Sequence, residues 1–91
     1  MTNQSNKEIV ESKLIKLGWV SFNSDGKLWF MYSSEDFAET DHSVKFASRL
    51  LDSYGIDYTI SERVGTYYDY DMYEEPIDEH MVKVATIVIH D

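Results

Sequence analysis

The sequence predicts an α+β fold in the order α-β-β-α-β-β-β, with two helices packed on a mainly antiparallel sheet. Three observations predict it. Two segments carry apolar residues at helical intervals, and each is closed by a glycine. Between and after them, shorter segments alternate apolar and polar residues and are separated by turn formers. The segment Met81 to His90 is apolar on nearly both faces and rich in β-branched residues, as a central strand requires. A chain of 91 residues holds one hydrophobic core, so residues 1–91 are expected to form a single domain, with 1–5 a flexible N-terminus.

The elements follow in order. Ser5 and Glu8 have capping-box spacing, and Ile9, Val10, Leu14 and Leu17 recur at helical intervals before Gly18. Alternation then sets Val20 and Phe22 before a turn and Leu28, Phe30 and Tyr32 after it. The intervening Asn23-Ser24-Asp25-Gly26 fits a type I turn with its glycine left-handed, which makes a β-hairpin. A second helix covers Asp41 to Tyr54 on the stripe Val44, Ala47, Leu50, Leu51 and Tyr54. Its first turn has two candidate starts, one at Ser34 to Asp36 and one at Thr40 to Asp41. Ile56, Tyr58 and Ile60 alternate in a strand with one wet face, and Gly65 is expected to turn the chain back. Tyr68, Tyr70 and Met72 then alternate with Asp69 and Asp71 in a further strand, and an acidic loop holding Pro76 leads to the last one.

Charge is the unusual property. The net charge is −9, yet residues 1–34 carry +1, which leaves −10 on the remainder. Such a surface repels nucleic acid and anionic membrane and accelerates encounter with a basic partner. No cysteine is present, which favours a reducing compartment. The stretch Met1 to Lys7 is polar and no apolar run is long enough to span a bilayer, so the expected location is cytoplasmic, with no membrane contact.

Six acids crowd eleven positions: Asp69, Asp71, Glu74, Glu75, Asp78 and Glu79. Tyrosines, among them Tyr67 and Tyr73, are interleaved. Folding gains little from so much like charge, although charge does protect a sheet edge from aggregation. A second group, Glu35, Asp36, Glu39 and Asp41, precedes and opens the second helix, where the helix dipole favours acids without any function. In a strand, Asp69 and Asp71 would stand roughly 7 Å apart. That spacing is comparable with successive phosphates of a DNA strand, so such a row suits Lys and Arg sites built for phosphates. Tyrosines between the acids add rigid contact area of the kind found at interface hot spots. In size, charge, lack of cysteine and the run Tyr67-Tyr68-Asp69-Tyr70-Asp71-Met72-Tyr73-Glu74-Glu75, the chain resembles the small acidic proteins that bacteriophages make to block host DNA-binding or defence proteins. The resemblance implies a noncatalytic inhibitor that mimics a nucleic-acid backbone and occupies the DNA-binding surface of a basic host protein in the host cytoplasm. An alternative is an immunity or antitoxin-like protein that plugs the active site of a basic toxic enzyme.

Other chemistry finds little support. Asp69-Tyr70-Asp71 opens like a calcium loop, but Tyr73 falls at the third-ligand position and Glu74 at the turn glycine. His42, His80 and His90 lack zinc-site spacing. There is no phosphate-cradling glycine loop or nucleophile elbow, so neither an enzyme nor a cofactor is expected. Trp19, Trp29, Phe22, Phe30 and Phe46 are expected mainly in the core. Because Trp29 and Met31 lie opposite Leu28, Phe30 and Tyr32, both faces of the hairpin are apolar. A homodimer through the hairpin or the final strand would cover the second face.

Overall fold

The computed structural model describes residues 5–70 and 76–90, with side chains for all of these except 67–70 and 76–78. The element order is α1 (Asn6–Lys16), β1 (Val20–Ser24), β2 (Lys27–Ser34), α2 (Phe37–Ser53), β3 (Tyr58–Tyr70) and β4 (Pro76–Ile89). The architecture is α+β, with one strand fewer than the sequence suggests.

Both helices begin and end on local signals. Ser5, counted with the leading residues on sequence alone, caps α1 by accepting the Glu8 N–H at 3.2 Å. Asp36 caps α2, its carboxylate accepting the N–H groups of Ala38 and Glu39 at 3.0 and 3.3 Å. This settles the choice between the two starts in favour of the earlier one and places Thr40 inside the helix. At the C-termini the same arrangement recurs. Gly18 and Gly55 are left-handed, with φ of 100° and 66°. The Gly18 N–H reaches the Ile15 carbonyl and the Trp19 N–H the Leu14 carbonyl; Gly55 and Ile56 do the same to Asp52 and Leu51. These are Schellman motifs, and each delivers the apolar residue after its glycine, Trp19 or Ile56, to the core cluster.

The β1–β2 turn differs from the type I turn expected. Asp25 and Gly26 both have positive φ, 54° and 73°, and Ser24 pairs directly with Lys27. This two-residue type I′ turn matches the twist of the flanking strands, which a type I turn would splay.

Gly65 does not turn the chain. β3 runs through it from Tyr58 to Tyr70, with Gly65 opposite Val82. β4 is long enough to pair with all of β3, and the ladder bonds it supplies outweigh a glycine that only weakens the strand locally. Pro76 likewise belongs to no loop. It is the first residue of β4, where its missing N–H is tolerated.

All pairings are antiparallel, in the order β1-β2-β4-β3. Alternation places Leu28 and Phe30 of β2 and Ala85, Ile87 and Ile89 of β4 on one face. There they meet Val10 and Leu14 of α1 and Ala47 and Leu51 of α2. The other face carries Val20, Phe22, Trp29 and Met31, with Thr86 and Val88 beside them, and among the described residues no helix covers it. Of the aromatic residues expected in the core, Trp19 and Phe30 are buried, Trp29 is half-buried, and Phe22 and Phe46 are 38% and 60% exposed. Phe22 lies on the open sheet face, stacked on Trp29 with centroids 6.1 Å apart. Phe46 falls outside the buried stripe of α2 because its neighbour Ala47 occupies that stripe.

Gly18 carries a steric demand that Gly55 does not. A Cβ at Gly18 would approach the Tyr32 ring at 3.2 Å, whereas nothing lies within 4 Å at Gly55. Gly18→Ala is therefore expected to destabilise by about 2–3 kcal/mol and Gly55→Ala by about 1 kcal/mol, measured by urea unfolding.

Candidate functional site

The strands of the sheet do not end together. β2 pairs with β4 only as far as Ser34 opposite Lys83, whereas β3 follows β4 to Tyr70 opposite Pro76. Beyond Lys83 the sheet is therefore a two-stranded ribbon of Gly65–Tyr70 and Pro76–Val82, about 20 Å long at roughly 3.3 Å per residue. This arm contributes to an outline of 56 × 24 × 23 Å.

The arm carries acids by register. Asp69 lies directly opposite Asp78, Tyr68 opposite Glu79 and Tyr67 opposite His80, with an irregularity between Asp69 and Tyr70. Like charges at opposed positions destabilise a ladder. Asp71, Tyr73, Glu74 and Glu75 lie outside the described residues. Glu79 is exposed.

At the root of the arm the second acidic group is drawn into a network. Lys83 is its centre: the ammonium donates to Asp41 at 2.6 Å and lies 3.8 Å from Glu62, while its backbone carbonyl accepts the hydroxyl of fully buried Thr40 at 3.1 Å. His80 meets Glu35 at 2.8 Å. Glu39 accepts the Tyr32 hydroxyl at 2.6 Å and the Ser34 hydroxyl at 3.1 Å, and Ser34 in turn accepts the Asp36 N–H at 3.0 Å. Each of Glu35, Asp36, Glu39 and Asp41 thus has a structural task, and together they fix the start of α2 against the root of the arm. The fold brings Glu35, Glu39, Asp41 and Glu62 into one neighbourhood with His80 and Lys83. Sequence reasoning missed Lys83 and His80 as members of this network, because their partners Asp41 and Glu35 lie more than 40 positions away and nothing local marks the pairing.

The hydrogen bond to Asp41 holds the Lys83 ammonium above its usual pKa. The bond to Glu39 raises the Tyr32 hydroxyl, and burial followed by the Asp52 bond raises that of Tyr58. In each case the folded state keeps its proton to higher pH than the unfolded chain does. Their stabilisation is complete below the unfolded values, near pH 10, and is lost as pH rises through the folded ones.

Among the described residues, no His, Asp or Glu cluster is gathered to hold a metal ion, and no helix is long and apolar enough to cross a membrane. His90 instead meets the Thr59 hydroxyl at 2.7 Å, and His42 is exposed. No protein-family model, curated protein or solved structure matches this chain.

The thermal midpoint should be nearly level from about pH 7 to 9 and fall above about pH 10. Tyr32→Phe, which removes the titrating hydroxyl, is expected to make that alkaline fall shallower, as followed by circular dichroism.

Proposed function

We propose that the acidic arm is the recognition element of a noncatalytic inhibitor. It would occupy the nucleic-acid-binding surface of a basic protein and present carboxylates where that surface accepts phosphates. The observation that carries this reading is the arm itself. It extends past β2 as a two-stranded ribbon and holds Asp69 opposite Asp78, an arrangement that folding alone disfavours. Electrostatic complementarity would speed encounter and set specificity, and it would make affinity fall steeply with salt. A ribbon this narrow also suits a catalytic cleft, the antitoxin-like alternative. Competition with DNA over a broad groove, as opposed to block of a catalytic cleft without displacement of DNA, separates the two.

With a partner recovered by pull-down from a candidate host lysate, Asp69→Asn combined with Asp71→Asn should weaken binding about tenfold or more, with melting unchanged or slightly raised. Glu8→Gln with Glu11→Gln lowers the net charge equally and is expected to bind within about threefold of the parent. Full binding by the arm variant at unchanged stability would refute the reading.

The open sheet face supports the further reading that the protein works as a homodimer. Over the four-stranded region its register positions carry Lys27 and Arg63 but no acid, in a chain of net charge −9. Among the described residues, Glu62 alone of the acids borders the depression on this face, so two such faces can meet as a sandwich with few opposing carboxylates. Light scattering should give a dimer at micromolar concentration, and Phe22→Ser with Met31→Ser should give a folded monomer.

A further inference from the structure

Half of the chain's eight Lys and Arg residues gather at one place. Lys13 and Lys16 of α1 and Lys45 and Arg49 of α2 line two depressions that share Phe46 and Arg49, of ≈ 510 and ≈ 250 Å³. The floor is apolar: Leu17 and Phe46 are 50% and 60% exposed, and Leu50 lies between the helices. Among the described residues, no acid lines either depression and no ion pair engages any of the four cations.

Structural needs account for part of this only. Lys13 and Lys16 sit in the last turn of α1, where the helix dipole favours cations. Lys45 and Arg49 lie in the interior of α2, whose last turn has no base, so the dipole does not explain them. Their spacing with Phe46 puts all three on one helix face, turned away from the buried stripe. Asp41 and Asp52, the acids of α2 four residues before Lys45 and three after Arg49, are engaged elsewhere, by the Lys83 ammonium and the Tyr58 hydroxyl, and neither lines the groove. Among the described residues, the groove is therefore lined by bases and no acid on an acidic protein.

We propose that this groove is a second docking site and that its occupant is an acidic amphipathic helix of a partner protein. Charge complementarity selects the acids, and the apolar floor selects a helix with a leucine-like face. A cleft between two helices accepts a third by side-chain interdigitation. Nucleic acid fits less well. Its phosphates offer nothing to Leu17 and Leu50, and its extended charge meets the field of the rest of the chain.

The test uses the full chain and a fluorescein-labelled synthetic peptide of roughly 18 residues, long enough to form a helix. Leucines stand at every third or fourth position and glutamates between them. A second peptide has glutamine for every glutamate, and a short single-stranded oligonucleotide is the third probe. Anisotropy titrations should show saturable binding of the acidic peptide and at least about tenfold weaker binding of the glutamine peptide. Lys45→Glu with Arg49→Glu should weaken the acidic peptide about tenfold or more at an unchanged melting temperature, and Phe46→Ser about fivefold. The Asp69→Asn, Asp71→Asn variant should bind the peptide like the parent, so the outcome is independent of the arm's role. Absence of saturable binding, equal binding of the glutamine peptide, indifference to both groove variants, or tighter binding of the oligonucleotide would overturn the proposal.

Discussion

The length of β4 is the constraint on which the rest depends. It is the last strand in the chain yet a central one in the sheet, with β2 on one side and β3 on the other. Its C-terminal half supplies Ala85, Ile87 and Ile89 to the floor on which both helices rest. Its N-terminal half outruns β2 and leaves only β3 for company. One strand thus builds both the core and the projection. Lys83 stands where the two regimes meet, and the contacts of its ammonium and carbonyl fasten α2 at that junction.

Acids in this protein fall into two kinds. Those around the start of α2 are held by caps, hydroxyls and cations, so much of their charge is answered within the fold. On the arm, Asp69 faces Asp78 across the ladder. Like charges set opposite each other across a ladder are disfavoured by folding, whereas the acids around α2 are tied into it. The same logic separates Lys13 and Lys16, which a helix dipole would place, from Lys45 and Arg49, which it would not.

What could be read from the sequence was local. Ser5, Gly18 and Gly55 mark helix ends by side-chain and backbone chemistry within a turn of the chain, and the stripe from Val44 to Tyr54 has one period only. The apolar, β-branched run in β4 identified a central strand, which β2 and β3 flank. Decisions that lay elsewhere in the chain were not legible. Gly65 punctuates β3 in sequence, but its partner Val82 keeps it in the ladder. Whether Asp25-Gly26 forms a type I or I′ turn depended on which residues pair across it, and the register made Ser24 and Lys27 partners. The contacts of Lys83 with Asp41 and of His80 with Glu35 join residues more than 40 positions apart, and the basic groove exists only because two helices pack side by side. Phe46 was the available signal: a large aromatic residue outside its helix's apolar stripe, flanked by bases at helical spacing.

The placement of these groups has a mechanical consequence. Thr40, near the N-terminus of α2, lies against the root of the arm, while the larger depression of the groove lies toward the C-terminal ends of both helices, so the acids at the start of α2 and the bases of that depression are set apart along the chain's long helix. A body with charge divided in this way experiences a torque in the field of a charged surface as well as a net pull. Near a cationic surface such a division would favour an approach by the acidic side, with the basic groove left toward solution. The side left outward is then set by the approach itself, with no hinge or conformational change needed to expose it.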